Sequence, residues 1–237
     1  FMSDASAALA PLMLGHTVRV MERLRVEASI EEYPLYTLDD VDAMSYVFQG
    51  IRTDRPFPIY SSTLVGTDLT ARLYDAGHIL GAVGVWLQGS GPSIFYTGDT
   101  CVQDQNIIPG ADYPNNVDIL VSECTLGADE ESEDRTRDFE TRRFSKAAND
   151  VLDRGGSVLV PVFSLGRTQE MLTLVHRLRE TEEIRDVEIY SAGFGGHVSR
   201  VYDRMAEQSR RVDEEARLAQ LAVRRLPPGA VPRGPHL

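Results

Sequence analysis

Tyr74-Asp-Ala-Gly-His78-Ile-Leu-Gly-Ala82 reads as a β-strand that runs out into a glycine-bounded loop carrying a histidine. Loops held by a rigid sheet are where functional side chains concentrate. One histidine on a loop carries little by itself, so the neighbouring sequence matters. Twelve residues past Ala82, Ile94-Phe-Tyr-Thr-Gly-Asp99 repeats the device with a carboxylate in place of the imidazole. Val117-Asp-Ile-Leu-Val-Ser-Glu123 repeats it again. Gly89-Ser-Gly-Pro92 is the turn of an antiparallel hairpin between Ala82–Leu87 and Ser93–Tyr96. That hairpin brings His78 and Asp99 to one edge of a sheet. Imidazole with carboxylate suits zinc or a related divalent ion.

Upstream, residues 5–26 carry a helical apolar stripe from Ala8 to Leu24, with Pro11 expected in the first turn of a late-starting helix. Thr37 is placed to cap a second helix running to about Phe48, with Asp39 and Asp40 in its first turn. Downstream, the acidic run 128–134 reads as a solvated loop. A helix follows to about Asp153, its buried side marked by Phe139, Phe144, Ala147, Ala148, Val151 and Leu152 and its end by Gly155-Gly156. Val158–Phe163 reads as a strand, Gln169–Arg179 as a helix, Val187–Tyr190 as a strand and Val198–Gln208 as a helix. This alternation predicts an α/β layer with parallel strands. The Pro/Gly-rich tail from Leu226 reads as extended or loop-like.

The 237 residues allow one to two domains and a core that needs no disulfide framework. With 24 basic against 36 acidic residues the net charge is −12, opposite to a basic nucleic-acid module. A local cation site or basic groove can override that sign. No apolar run is long enough for a membrane helix. Cys101 and Cys124 form no framework and read as small buried residues, so a reducing cytoplasm is expected. Trp86 and Tyr96 read as core, and His176 as helix surface or packing.

Ala76-Gly-His-Ile-Leu-Gly81, Tyr96-Thr-Gly-Asp99 and Ser122-Glu-Cys-Thr-Leu-Gly127 resemble successive motifs of the metallo-β-lactamase fold, in particular its β-CASP branch of RNA-processing nucleases. Arg154–Glu170, with Pro161-Val-Phe-Ser-Leu-Gly-Arg-Thr-Gln169, is similar to the opening of the β-CASP insert. The resemblance runs from about residue 70 to 205. It implies an α/β chain made of a partial αββα metallo-β-lactamase sandwich, residues 1–127, followed by the first part of an α/β β-CASP domain, residues 128–237. It implies a zinc-dependent ribonuclease with two zinc ions. His78 matches a zinc-ligating histidine, Asp99 the carboxylate that bridges both ions, and Glu123 an acidic group that orients the catalytic machinery. The partner is RNA, with no membrane; a homodimer is compatible with this. Arg167, ahead of the helix at Gln169, could meet an RNA phosphate or bind at the domain interface, and His197 at a strand-to-helix turn could likewise meet a phosphate.

The family's His-x-His-x-Asp-His loop has no counterpart here: His16 falls within the first helix and His236 in the tail. The chain therefore reads as an internal piece of a longer enzyme with only part of the metal site. Two other readings are a hydrolase of a small ester or thioester, against which 154–170 argues, and a non-catalytic RNA- or protein-binding subunit.

Overall fold

The computed structural model describes residues 1–53, 55–59, 68–129 and 135–226. Residues 130–134 of the acidic run, the tail beyond Leu226 and His236 lie outside the described residues. The chain is mixed α/β and divides into two compact units. The first holds Phe1–Asp104, Ile108–Ser122 and Arg204–Arg211; the second holds Gln105–Ile107, Glu123–Asp203 and the residues from Val212 onward.

The first unit opens with β1 (Met2–Ser3) and α1 (Asp4–Glu27), then α2 (Leu38–Ser45) and β2 (Gly50–Ile51). Ser3 is the N-cap of α1, its Oγ accepting from Ser6 N–H at 3.1 Å. The helix therefore starts at Asp4, and Pro11 lies inside it rather than in a late first turn. Thr37 caps α2 as expected: its Oγ accepts from Asp40 N–H, and the Asp40 carboxylate accepts from Thr37 N–H at 2.8 Å. This reciprocal pair satisfies donors the helix itself leaves open. The helix ends at Ser45, short of Phe48. Val18 and Met21 of α1 pack on Val41 of α2, flanked by Leu14, Tyr33 and Tyr36. β1 pairs parallel with β2, which anchors the start of α1.

The sheet that carries the three motifs comprises β3 (Phe57–Pro58), β4 (Thr70–Asp75), β5 (Val83–Gln88), β6 (Ile94–Tyr96) and β7 (Ile119–Val121), in that spatial order. β4, β5 and β6 pair antiparallel in succession, and β6 pairs parallel with β7. The C-terminal ends of β4, β6 and β7 therefore share one edge. Alternation of side chains in β4 buries Ala71 and Leu73 on one face. On the other face Tyr74 meets Trp86 and Phe95 edge-on, with centroids 6.1 and 5.8 Å apart. Trp86 is only part-buried and Tyr96, 55 % exposed, is not a core residue. Among the described strands β7 has a partner on one side only, and its Leu120 is 63 % exposed.

The second unit contains α3 (Arg137–Leu152), α4 (Arg167–Glu180), β8 (Ile189–Ser191), α5 (Gly195–Arg204) and β9 (Val223–Arg225). Its core gathers Ala148, Leu174, Leu178 and Ile184, with Phe144, Leu152 and Met171 packed around them. Phe139 and Ala147, expected on the buried side of α3, are exposed. Gly155 at φ 73° follows the end of α3, and Gly156 N–H returns to Val151 O at 3.0 Å, as the paired glycines predict. Gln169, wholly buried, accepts from Gly166 N–H and donates to Ser164 O and Gly195 O, joining the starts of α4 and α5.

Val158–Phe163 is not a strand. Phe163 is 83 % exposed, and no described strand pairs with the run. Apolar, β-branched composition favours extended backbone, but a strand exists only when a neighbour completes its ladder. Among the described residues of this unit, the parallel pairing is β8 with β9, and α5 ends at Arg204 rather than Gln208.

Candidate metal-binding edge

His78 sits in a loop that leaves β4 at Asp75 and returns to β5 at Val83. Ala76 N–H donates to Ala82 O at 2.9 Å, which closes the loop at its base. Asp99 sits just beyond β6, after Gly98 at φ 58°. The two segments are stitched together by backbone: Cys101 N–H donates to Ala76 O and Ala111 N–H to Cys101 O, each at 2.8 Å. Thr100 Oγ also donates to Ala76 O, at 3.0 Å. The result places His78 Nε2 4.0 Å from an Asp99 carboxylate oxygen, with the Asp99 side chain 78 % exposed. Two donors on one tetrahedral zinc, each at roughly 2.1 Å, stand about 3.4 Å apart. The observed separation is slightly wider than that spacing.

Imidazole nitrogen and carboxylate oxygen are donors that zinc accepts. Among the described residues, no group of three or more His, Cys, Asp and Glu is disposed to hold a metal ion. His78 and Asp99 thus fit part of a metal shell, fewer donors than the three protein ligands a catalytic zinc site uses.

Two further residues shape this edge. Asp75, at the end of β4, accepts from the Thr53 hydroxyl at 3.3 Å. Nearby, Arg210 pairs with Asp112 at 2.7 Å. Burial raises the Asp75 carboxyl above its ordinary range; Arg210 and the Thr53 hydroxyl oppose this, and Asp112 adds to it. The folded state therefore holds this proton more tightly than the unfolded chain. The stability this site contributes is full below the ordinary carboxylate range and is lost as pH rises through the raised value. Asp75→Asn removes the loss. Urea unfolding should show the variant gaining on wild type as pH rises from 3 to 7; parallel profiles would show that Asp75 bears no such burden. The second feature is Gly81 at φ 83°, whose carbonyl accepts from Ser3 Oγ at 2.7 Å and Ser6 Oγ at 2.9 Å.

No protein-family model matches the chain. Similar curated proteins do exist. An RNase J-like protein of Methanocaldococcus jannaschii is 30 % identical over 144 residues, covering 60 % of this chain and 34 % of that protein. Integrator complex subunit 11 of Danio rerio is 32 % identical over 210 residues, 85 % of this chain and 34 % of its own length. Endoribonuclease ysh1 of Emericella nidulans is 32 % identical over 197 residues, 81 % of this chain and 21 % of its own. The chain belongs to the β-CASP branch of the metallo-β-lactamase fold. It spans about a third or less of the length of these β-CASP relatives.

Of the four candidate site residues read from sequence, the structure brings His78 and Asp99 together. Glu123 and Arg167 fall in the second unit. The Glu123 carboxylate accepts from Thr125 N–H at 3.1 Å. The Arg167 guanidinium donates to Gln105 Oε1 at 3.0 Å, so that end of the side chain is already oriented. His197 stacks on Phe194, and its Nδ1 lies 2.9 Å from an Arg200 guanidinium nitrogen. His16 lies in α1, and His176 pairs with Glu180 along α4. Cys101 is part-buried and Cys124 exposed, both free thiols, against the expectation of two buried ones. Ser3 and Ser6 escaped the sequence reading. The Ser-x-x-Ser spacing ahead of an apolar helix was the available signal. Asp75 lay in plain view before Ala76-Gly77, but nothing local marks it as buried.

Proposed function

We propose that this chain forms part of a metal-dependent β-CASP ribonuclease that hydrolyses RNA phosphodiester bonds. The meeting of His78 with Asp99 at the shared strand edge carries this reading. The names of the relatives, endoribonuclease and RNase J-like protein among them, support it. Residues 1–127 would be a partial αββα sandwich and 128–237 the first part of the β-CASP domain. His78 and Asp99 would hold zinc, two ions being expected in a complete shell. When bound, such an ion supplies Lewis-acid polarisation of a phosphoryl oxygen. The chain's own residues contribute position and charge. Asp99 offers an exposed carboxylate to the site. Glu123 orients its neighbours through hydrogen bonds, and Arg167 meets a substrate phosphate with its bidentate fork. RNA approaching a protein of net charge −12 needs such local positive charge.

No described helix is long and apolar enough to cross a membrane. A reducing cytoplasm and a homodimer complete the proposal.

The test is a substrate panel of labelled RNA, thioesters and β-lactams, run with and without added zinc on a polypeptide supplying a full ligand set. Zinc-dependent RNA cleavage is expected. Turnover of a thioester with RNA untouched would overturn the reading. The 237-residue chain alone should bind zinc weakly, and two tightly held ions in it would contradict the partial shell described above. Glu123→Gln should lower turnover roughly 10–100-fold with metal content retained. Unchanged turnover removes Glu123 from the mechanism.

A further inference from the structure

We infer that Ser3 and Ser6 are positioning residues for His78, acting through the carbonyl of Gly81. The inference rests on the reading of His78 as a functional group of this edge. Gly81 O receives both hydroxyls, Ser3 Oγ at 2.7 Å and Ser6 Oγ at 2.9 Å, across sequence separations of 78 and 75 residues. The two hydroxyl oxygens are themselves 3.0 Å apart. Two protons thus serve three close oxygen pairs, so each hydroxyl's orientation depends on the other.

The contact is a built feature of the backbone. A Cβ at Gly81 would stand 2.8 Å from Ser6 N and 3.1 Å from Ala5 Cβ, and φ there is 83°. Only glycine admits the first turn of α1 this close. Ser3 is 4 % exposed, and its place is set from behind by the β1–β2 pairing and by Met2 N–H on Gln49 O at 3.0 Å. His78 lies three residues before Gly81, inside the loop closed by Ala76 and Ala82. One end of that loop is held by Gly77 against the backbone of Cys101 and Ala111. The serine pair holds the other end. With both ends fixed, the backbone that carries His78 is held in place, and the imidazole it presents faces Asp99. A catalytic geometry tolerates displacement of only about 0.5 Å, and such support is what keeps side chains within it.

The experiment needs neither metal nor RNA, so its failure is distinct from failure of the ribonuclease reading. Ser3→Ala, Ser6→Ala and the double variant are compared with Ser3→Thr and Ser6→Thr in the full chain. The readouts are the imidazole nitrogen and proton NMR signals of His78, assigned by His78→Ala, and amide exchange at Ile79, Leu80 and Ala82. His176, in the second unit, is the internal reference. The alanine variants should shift or broaden the His78 signals and speed exchange at those amides at least about tenfold, leaving His176 unmoved. The threonine variants, which keep the hydroxyl, should restore both. Ser6→Ala leaves the N-cap residue intact, so it remains informative if the double variant fails to fold. A folded Ser6→Ala protein with unchanged His78 signals and unchanged loop exchange would overturn the inference. So would threonine variants that behave like alanine.

Discussion

Asp99→Ala should reduce metal-dependent RNA cleavage by roughly 10³-fold, equivalent to about 4 kcal/mol of barrier. The side chain stands 4.0 Å from His78 Nε2 with most of its surface in solvent. Deleting an exposed carboxylate usually changes folding stability by no more than ~0.5 kcal/mol. Lost activity in a protein that unfolds at the wild-type urea midpoint would therefore report on chemistry rather than on fold. The measurement is single-turnover cleavage of labelled RNA beside elemental analysis of bound metal, in a polypeptide with the complete ligand set. Metal content should fall together with rate. Full cleavage with metal content unchanged would show that Asp99 does not hold the metal. Asp99→Asn sharpens the test, since it keeps shape and removes charge.

Gly77→Ala should cost roughly 3 kcal/mol or more of stability, a large effect for one methyl group. Gly77 adopts φ 68°, and a Cβ there would lie 2.4 Å from Cys101 O, 2.6 Å from Ala111 N and 3.0 Å from Gly110 C. All three are backbone atoms, and Cys101 O and Ala111 N are bonded to each other at 2.8 Å. No rotamer change relieves the overlap. Gly98 provides the control. Its φ is 58°, but the nearest atom to an added Cβ is Val83 O at 3.4 Å. Gly98→Ala should lose only the conformational part, about 1–2 kcal/mol. Urea unfolding midpoints order the two variants. Equal losses would mean that the approach of the His78 loop to the Cys101–Ala111 backbone is not as tight as described.

Several features were legible before any coordinates. The hairpin through Gly89–Pro92, the Thr37 cap and the strand ends ahead of His78 and Asp99 follow from signals confined to a few neighbouring residues. So does the pairing of His78 with Asp99, because one short antiparallel hairpin separates them and its geometry leaves few alternatives. Val158–Phe163 shows where such signals stop. Its composition is that of a strand, yet a strand is a pairing, and pairing depends on what lies alongside. Tyr96 and Cys124 teach the same lesson about burial, which belongs to surroundings rather than to residue type.

Chain order and residue type alone thus settled the hairpin, the Thr37 cap, the strand tips where polar groups emerge, and the chemical kind of each group. Folding in three dimensions decided the rest: that two serines from the first turn of α1 reach a carbonyl 75 and 78 residues away, and that Arg210 and Asp112 share the neighbourhood of Asp75. Propensity and periodicity act over a handful of residues. Hydrogen bonds between distant segments, burial and the electric field at a carboxyl depend on every element that closes around them.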